Sequence, residues 1–212
     1  MSLLNESKVI LSLCDYTGNW AKPYREAGYT VRCIDLKNGD DVRMIGYMPH
    51  ANDNRVHGIL AAPPCTDFSV SGAQYWKAKD ENGGTLSALA LVDACLRAVA
   101  VYRPVWWALE NPVGRLKNWL GPHTFAFDPC DFGGYMRPDE RSCEISTPQD
   151  AYTKKTLLWG QFNIPVKMRV EPVRVCSQGS WIQTLGGKSE RTKELRSATP
   201  IGFARAFFEA NP

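Results

Sequence analysis

The sequence lacks the features that mark secreted, membrane-spanning or disulfide-rich proteins. Its seven cysteines are odd in number and include no Cys-x-x-Cys pair, so no disulfide framework is predicted. The apolar stretch at residues 8–13 is too short for a secretory leader. The longest apolar stretch, residues 88–102, is interrupted by Asp93 and Arg97. We therefore expect a cytoplasmic protein that contacts no membrane and keeps its thiols reduced.

The scattered cysteines are also poor candidates for metal ligands. Structural zinc sites usually take their ligands from closely spaced pairs. The residues that could supply ligands show no such pairing, and they are Cys130, Cys143, Cys176 and His123. We expect buried thiols and no bound metal.

Internal repeats and low-complexity tracts are missing too, and neither sign of charge dominates. Lysine and arginine together number 25, and aspartate and glutamate 22, so the formal net charge is +3. Such a chain can bind a polyanion but does not have to, because local clustering of charge matters more than the sum. With 212 residues the chain is long enough for one well-buried domain and short for two.

What the chain does have is an alternation of strands and helices over its first half. Residues 9–13 predict a buried strand, and residues 20–27 fit a helix that Gly28 ends. Residues 29–34 predict a second strand that leads into Asp35. The turn after the first strand could present backbone N–H groups to a nucleoside-containing ligand, and Asp35 could accept from ribose hydroxyls. One glycine is a weak signal, and a plain parallel-sheet connection explains the same pattern.

Two further strands and a long helix complete the predicted sheet. Residues 57–62 and 104–110 predict strands, and apolar side chains recur at helical spacing over residues 85–102 between them. This alternation predicts an α/β fold with an open, mostly parallel sheet. Beyond it the pattern loosens, apart from a possible strand at residues 156–160 and a last helix at residues 200–210 with Thr199 as its N-cap. We expect an α/β core at residues 1–112 and a short irregular region at residues 113–195. A C-terminal helix at residues 196–212 should pack back on the core.

Two of the predicted strands end in residues whose chemistry suits a pyrimidine ring. The first leads into Pro63-Pro64-Cys65 and the next into Glu110-Asn111-Pro112. A thiolate at Cys65 is a good nucleophile for the electron-poor C6 of a pyrimidine, and its addition makes C5 able to accept an electrophilic methyl group. Glu110 could bond N3 and the exocyclic amine of cytosine and so promote that attack.

Each of these two strand ends, which we call the Cys65 corner and the Glu110 corner, also has an ordinary structural explanation. A cysteine at a strand end is usually a small buried apolar side chain, and Glu-Asn-Pro is usually a solvated turn. Their joint occurrence at successive strand ends, after a candidate nucleotide-binding unit, favours the catalytic interpretation.

The same residues resemble the motifs of a known family. Pro63-Pro64-Cys65-x-x-Phe68-Ser69 and Glu110-Asn111-Pro112 are similar to the catalytic-loop and Glu-Asn-Val motifs of DNA cytosine-5 methyltransferases, especially the compact phage-type members. Residues 11–18 resemble a degraded form of that family's Phe-x-Gly-x-Gly turn for S-adenosylmethionine. The resemblance implies the Rossmann-like fold of class I S-adenosylmethionine-dependent methyltransferases. It also implies that residues 113–195 are a short DNA-recognition region, and that the protein acts in a bacterial or phage-infected cell.

The resemblance implies a role for each matching residue. The catalytic residues would act on a cytosine flipped out of DNA, and they are Cys65, Glu110 and Asn111. The residues implied to bind S-adenosyl-L-methionine are Asp15, Tyr16, Thr17, Gly18, Asn19, Trp20, Asp35, Leu36, Asp41, Val42 and Pro63. The candidate DNA-binding residues are Ser69, Arg137, Arg141, Lys154, Lys155 and Arg196. The five basic residues among these have two explanations. They contact DNA phosphates, or they belong to an ordinary solvated face, as interspersed basic residues usually do.

The cofactor turn departs from the family at two positions. Cys14 stands where a phenylalanine usually packs on the cofactor's adenine, and Tyr16 stands where a glycine usually lets the backbone approach the methionine group. Tyr16 could stack in place of the phenylalanine, fill part of the pocket, or favour a modified donor such as carboxy-S-adenosyl-L-methionine.

Two other classes of function stay open. One is a catalytically inactive homologue that binds DNA or a partner protein. The other is a pyrimidine-modifying enzyme that acts on RNA or free nucleotides. The Asp-Pro-Pro-Tyr signature of amino-methyltransferases is absent, which argues against methylation of an exocyclic amine.

Overall fold

The described part of the chain forms a six-stranded sheet and eight α-helices. The computed structural model describes residues 3–45, 56–175, 177, 179–185 and 189–212. The strands are β1 (Val9–Leu13), β2 (Thr30–Ile34), β3 (Val56–Ala61), β4 (Trp106–Pro112), β5 (Phe125–Phe127) and β6 (Thr156–Gln161). The helices are α1 (Leu3–Glu6), α2 (Lys22–Glu26), α3 (Trp76–Glu81), α4 (Gly84–Tyr102), α5 (Lys117–Leu120), α6 (Trp181–Thr184), α7 (Glu190–Ser197) and α8 (Ile201–Ala210).

The sheet has the order β2-β1-β3-β4-β6-β5. The pairs β1–β2, β1–β3 and β3–β4 are parallel, and β4 pairs with β6 in the antiparallel direction. The predicted open, mostly parallel, Rossmann-like α/β sheet is therefore confirmed. The chain moves from β1 to β2 on one side and then returns to β3 on the other. Ligands of open α/β sheets bind outside the carboxyl ends of the strands at such a reversal, which here means the residues after β1 and β3.

The core lies between the parallel strands and α4. All five residues of β1 are buried, as expected for a parallel strand covered on both faces. Ala88, Val92, Cys95 and Ala98 form the buried stripe of α4, in one apolar cluster with side chains of β1, β3 and β4. This helix is also long and apolar enough to cross a membrane by length and composition, a test that core helices pass as well.

Some predicted boundaries need correction. The helix expected from Trp20 begins only at Lys22, because Pro23 fits just the first turn of a helix. The last helix begins at Ile201 with Pro200 at its N-cap and without a side-chain cap. Thr199 is therefore not the N-cap, because Pro200 itself has an extended backbone (ψ 130°) and cannot be the first helical residue.

The chain divides into two compact units. The sheet unit comprises the described residues up to Tyr16, together with Tyr24–Ala126 and Thr156–Phe162, and so includes β6. The aromatic unit comprises Thr17–Pro23, Phe127–Lys155 and Asn163–Pro212.

Packed rings form the core of the aromatic unit. The rings of Phe127 and Phe203 stack with their centroids 4.1 Å apart. Phe132 and Phe207 lie within 6 Å of Phe203 by the same measure, at 5.5 and 5.8 Å. Such aromatic pairs stabilise beyond the area they bury.

Gly202 lets α8 pack closely against the backbone in the aromatic unit. A Cβ at this position would lie 2.3 Å from the carbonyl oxygen of Phe132. Gly202→Ala should therefore lower the free energy of unfolding by about 1–3 kcal/mol through overpacking, although alanine is the better helix former by about 1 kcal/mol. Chemical denaturation measures this value. Gly72→Ala is the control, because its Cβ would meet only Thr66 O at 3.4 Å. Stabilisation by Gly202→Ala would contradict the close packing.

Candidate active site

The first predicted corner, around Cys65, is a tight turn at the carboxyl end of β3. Past the strand, the N–H of Ala62 still bonds Leu13 O at 2.9 Å, which keeps the chain beside β1. The carbonyl of Cys65 then accepts from the N–H groups of Phe68 and Ser69 at 3.0 and 2.9 Å. Phe68 is completely buried, whereas Cys65 is half-buried and free of a disulfide. The turn therefore holds Cys65 at the edge of the sheet, with part of the residue's surface accessible.

The second corner, around Glu110, lies on the neighbouring strand. Ala61 of β3 pairs with Leu109 of β4, so Glu110 follows at the level where β3 has just ended. Leu109 and Asn111 are buried and Glu110 is half-buried between them, because successive side chains of a strand point to opposite faces. The sheet therefore brings the two predicted catalytic strand ends next to each other.

Asn111 links the two corners directly. Its Nδ2 donates to the carbonyl of Pro63 at 3.0 Å, in a buried hydrogen bond between residues 48 apart in sequence. Its Oδ1 is buried and has no hydrogen-bond partner among the described residues. A buried acceptor without a partner costs about 1–3 kcal/mol, so this oxygen suits a ligand N–H or an ordered water.

The residues after β1 place one acidic and one aromatic side chain at the same edge. Asp15 is buried and accepts from Ser12 Oγ at 2.8 Å. Tyr16 is 49% exposed, and Lys37 Nζ lies 4.8 Å from the centre of its ring. Tyr16 is therefore a surface ring at the switch point, accessible to a flat ligand.

The residues after β2 add a carboxylate and an apolar side chain. Asp35 is half-buried, and its Oδ1 accepts from the N–H of Lys37 at 2.9 Å. A carboxylate has several acceptor positions, so Asp35 can still accept from a ribose hydroxyl. Leu36 is 58% exposed, so its side chain offers apolar surface at this edge.

The side chains of Asp41 and Val42 have less freedom to contact a cofactor than the sequence indicates. Both carboxylate oxygens of Asp41 accept from the side chain of Arg43, at 2.6–3.0 Å. This hydrogen bonding holds the pKa of Asp41 below its usual value. Val42 is buried in the core cluster, so only its backbone could meet a cofactor. Any adenine contact by Asp41 would have to be made alongside Arg43.

The remaining predicted cofactor residues, 17–20, belong to the aromatic unit. Trp20 is 0% exposed, and its ring lies 5.6 Å from those of Phe203 and Phe207. This ring is a core side chain. Asn19 is half-buried. Its backbone N–H donates to Thr17 Oγ1 at 3.3 Å, and its Nδ2 donates to Thr199 O at 3.4 Å. Gly18 has φ 67°, in the left-handed region that glycine favours.

The basic residues predicted to contact DNA differ in their surroundings. Lys154 donates to the carbonyl of Arg196 at 2.7 Å, and Lys155 pairs with Asp128 at 2.5 Å. Arg137 and Arg141 are exposed, although Arg141 also donates to Ser146 O at 2.6 Å. The structure thus brings Lys154 and Arg196 together and gives Lys155 a partner within the protein. DNA contact by these residues stays a prediction.

The segment that carries Arg137 and Arg141 is fixed to α8 by an ion pair. Arg205 donates to both carboxylate oxygens of Glu140, each at 2.7 Å, and the N–H of Arg137 donates to the same carboxylate at 3.1 Å. The hydrogen bond from Arg205 lowers the pKa of Glu140 from its usual 4.5 and outweighs burial, which raises it.

Glu140→Gln should lower the free energy of unfolding by about 1–2 kcal/mol near pH 7. A carboxyl whose folded-state pKa is lowered stabilises the protein above its unfolded-state pKa and loses that effect as pH falls through the folded-state value. The difference from wild type should therefore shrink below about pH 4.5, as measured by denaturation at several pH values. Glu144→Gln, whose exposed pair with Arg191 contributes little, is the matched control. A difference that does not depend on pH would contradict this role of Glu140.

No motif in the sequence points to the side chains that hold the turn after Cys65. Lys79 Nζ donates to Thr66 O at 2.7 Å and pairs with Asp67 at 3.0 Å. Arg115 donates to Asp67 O at 2.9 Å. These partners are 12 to 48 residues apart in sequence, so no local spacing reveals them.

The part of the chain that the structure describes holds no group of three or more metal-ligating side chains. Cys130 and Cys143 are free thiols there, and burial raises the pKa of each. Cys176, the third cysteine of the zinc alternative, lies outside the described residues.

Comparisons with known proteins give little further information. No family model and no curated protein matches the chain. One similar solved structure is that of a candidate DNA modification methyltransferase encoded within a prophage of E. coli, with 17% sequence identity and a TM-score of 0.42. The match covers 86% of this chain and 56% of that one, so this chain spans about half the length of its neighbour. Likeness at this level says nothing of activity, which has to be inferred from the residues of this chain.

Proposed function

We propose that this protein transfers a methyl group from S-adenosyl-L-methionine to C5 of cytosine in DNA, through a transient bond between Cys65 and C6. The observation that carries the proposal is the hydrogen bond from Asn111 to the carbonyl of Pro63. It ties a strand end with a half-buried carboxyl to a strand end with a half-buried thiol, at the edge where open α/β sheets bind ligands.

The chemistry requires both of these groups. The Cys65 sulfur attacks C6 as a thiolate, and the electron pair of the C5–C6 double bond moves toward C5. Glu110 faces N3 and the exocyclic amine and, by sharing a proton with N3, draws electrons from the ring. C5 would then bond to the methyl carbon as the S–CH3 bond of the donor breaks, its electron pair staying on sulfur to leave S-adenosylhomocysteine. Loss of the C5 proton to a base or water and cleavage of the Cys65–C6 bond would restore the ring. The Oδ1 of Asn111, which has no hydrogen-bond partner among the described residues, is a candidate acceptor for a ligand N–H.

The residues after β1 and β2 suit S-adenosyl-L-methionine. The Asp35 carboxylate can accept from ribose hydroxyls, and the exposed side chains of Tyr16 and Leu36 offer apolar surface for an adenine. When bound, this cofactor supplies an electrophilic methyl group. The exposed ring of Tyr16 supports binding by stacking, and a modified donor such as carboxy-S-adenosyl-L-methionine is an alternative that the same experiment tests.

DNA is the proposed substrate because the motifs at Cys65 and Glu110 resemble those of DNA cytosine-5 methyltransferases. A cytosine flipped out of a duplex would expose its C5 and C6 to these residues. Ser69 follows the Cys65 turn, with its Oγ 3.0 Å from Ser71 Oγ, and we propose that it contacts the flipped nucleotide. Arg137 and Arg141 are the exposed cations proposed to contact phosphates. Extruding the base costs about a few kcal/mol, which such contacts would offset.

Incubation with tritium-labelled S-adenosyl-L-methionine and cytosine-containing duplex DNA tests the proposal. Digestion to nucleosides should then show the label in 5-methylcytosine. Labelling of RNA or of free deoxycytidine monophosphate, but not of DNA, would assign the site to the alternative enzyme class. Tight DNA binding without cofactor binding in calorimetry would assign it to the non-catalytic class.

A further inference from the structure

The turn after Cys65 is held in place by a second segment of the sheet unit. We call residues 65–71 the Cys65 loop. The segment after β4 runs beside it: the N–H of Val70 donates to Val113 O at 3.1 Å, and the N–H of Arg115 donates to Phe68 O at 2.9 Å. Ser69 and Gly114 form an isolated antiparallel bridge. Because a Cβ on Gly114 would lie 2.0 Å from Phe68 O, only glycine permits this approach.

Arg115 is the centre of this contact. Its side chain is only 8% exposed. Nε donates to Asp67 O at 2.9 Å, and Nη1 donates to both carboxylate oxygens of Asp80 at 2.8 and 2.9 Å. Nη2 donates to Thr85 Oγ1 at 2.7 Å. The rigid fork of the guanidinium thus joins the Cys65 loop to α3 and to the first turn of α4.

Two tryptophans surround the same guanidinium. Its central carbon lies 4.9 Å from the ring centre of Trp76 and 5.7 Å from that of Trp119. Trp119 also packs edge-on against Phe68, the buried anchor of the Cys65 loop, at 5.9 Å. Cation–π contacts of this kind strengthen when the cation is withdrawn from water.

A buried arginine is a costly way to obtain stability, because apolar side chains of similar volume often stabilise a core as well or better. The guanidinium of Arg115 instead bonds a loop carbonyl, a carboxylate and a hydroxyl at once. Because it is planar, these bonds fix one geometry of the Cys65 loop. We propose that Arg115 is a positioning residue that holds Cys65 in its reactive orientation. This inference rests on the proposed methyl transfer, since that reaction is what requires a fixed thiol.

The variants Arg115→Lys and Asp80→Asn test the proposal. Lysine keeps the charge but loses the fork and the flat face. The Asp80 side chain is about half exposed, so Asp80→Asn loosens the same contact without leaving a buried cavity. Arg103→Lys, an exchange at an exposed arginine outside the contact, is the matched control.

Two readouts apply to each variant. The first is the rate at which iodoacetamide alkylates Cys65, relative to the half-buried Cys33 and Cys143 of the same molecule, followed by mass spectrometry without DNA or cofactor. The second is kcat for methyl transfer, with the KM for S-adenosyl-L-methionine.

Arg115→Lys should raise the relative alkylation rate of Cys65, because a loosened loop exposes more of this half-buried residue to the reagent. It should also lower kcat by about 10²-fold at unchanged cofactor KM, since misplacement by about 1 Å can have that effect on the methyl transfer. Asp80→Asn should do the same to a smaller degree. A Cys65 that reacts as in wild type in both variants would show that Arg115 is only structural and overturn the inference. If wild type transfers no methyl group but Cys65 alkylation still rises in the variants, the positioning holds and the proposed function fails instead.

Discussion

Cys65→Ser should abolish methyl transfer, with a loss in kcat of at least about 10³-fold. A serine hydroxyl is far less acidic than a thiol, so it adds to C6 far more slowly than a thiolate does. Because Cys65 is half-buried and serine is almost isosteric, the free energy of unfolding should change by less than about 1 kcal/mol. Tritium transfer to duplex DNA and chemical denaturation of the same preparation measure the two quantities.

Cys33→Ser is the matched control for this prediction. Cys33 is another half-buried cysteine outside any disulfide, on β2 of the same unit, and its replacement should leave kcat within about twofold of wild type. Equal losses in the two variants would mean that Cys65 has no special part in the reaction. A Cys65→Ser protein that retains activity would exclude thiol addition altogether.

Glu110→Gln should lower kcat by about 10² to 10³-fold, the range expected when a positioned acid is lost. Glutamine has the shape of glutamate and can still bond the ring edge, but it cannot share a proton with N3. DNA and cofactor affinities should therefore stay near those of wild type. Single-turnover kinetics at saturating DNA, together with binding measurements, separate the chemical step from affinity.

Glu81→Gln provides the comparison for Glu110→Gln. Glu81 is an exposed glutamate at the end of α3, near Lys77, and its replacement should leave kcat unchanged. If Glu110→Gln raised the KM for DNA at constant kcat, Glu110 would contribute only to binding, and the proposed electron withdrawal from the ring would be wrong.

The arrangement of the two corners was predictable from the sequence because buried parallel strands are visible there as apolar runs with clear ends. Parallel strands covered on both faces have apolar runs with clear ends, so the run before Pro63 and the run before Glu110 mark where β3 and β4 stop. Since parallel strands end at the same edge, Cys65 and Glu110 are expected together there. Likewise, the apolar spacing of α4 predicts the helix that lies between these two strands in sequence.

The parts that sequence did not reveal depend on contacts between distant residues. The role of Arg115 depends on Asp67, Asp80 and Thr85, which reach it only after folding. Trp20 directly follows the predicted cofactor turn. The sequence around it fits a tryptophan that contacts a ligand as well as one that is buried in the core. Only the presence of Phe203 and Phe207, more than 180 residues later, decides between them.

The bond between Cys65 and C6 is most directly tested with duplex DNA that contains 5-fluorocytosine. After Cys65 has added to C6 and C5 has gained its methyl group, fluorine stands where the departing proton would be, so the sulfur cannot be eliminated. We expect a denaturation-resistant complex that depends on S-adenosyl-L-methionine and whose DNA is attached at Cys65 by peptide mass spectrometry. The absence of such a complex, in a preparation that binds both the cofactor and this DNA, would contradict the covalent mechanism.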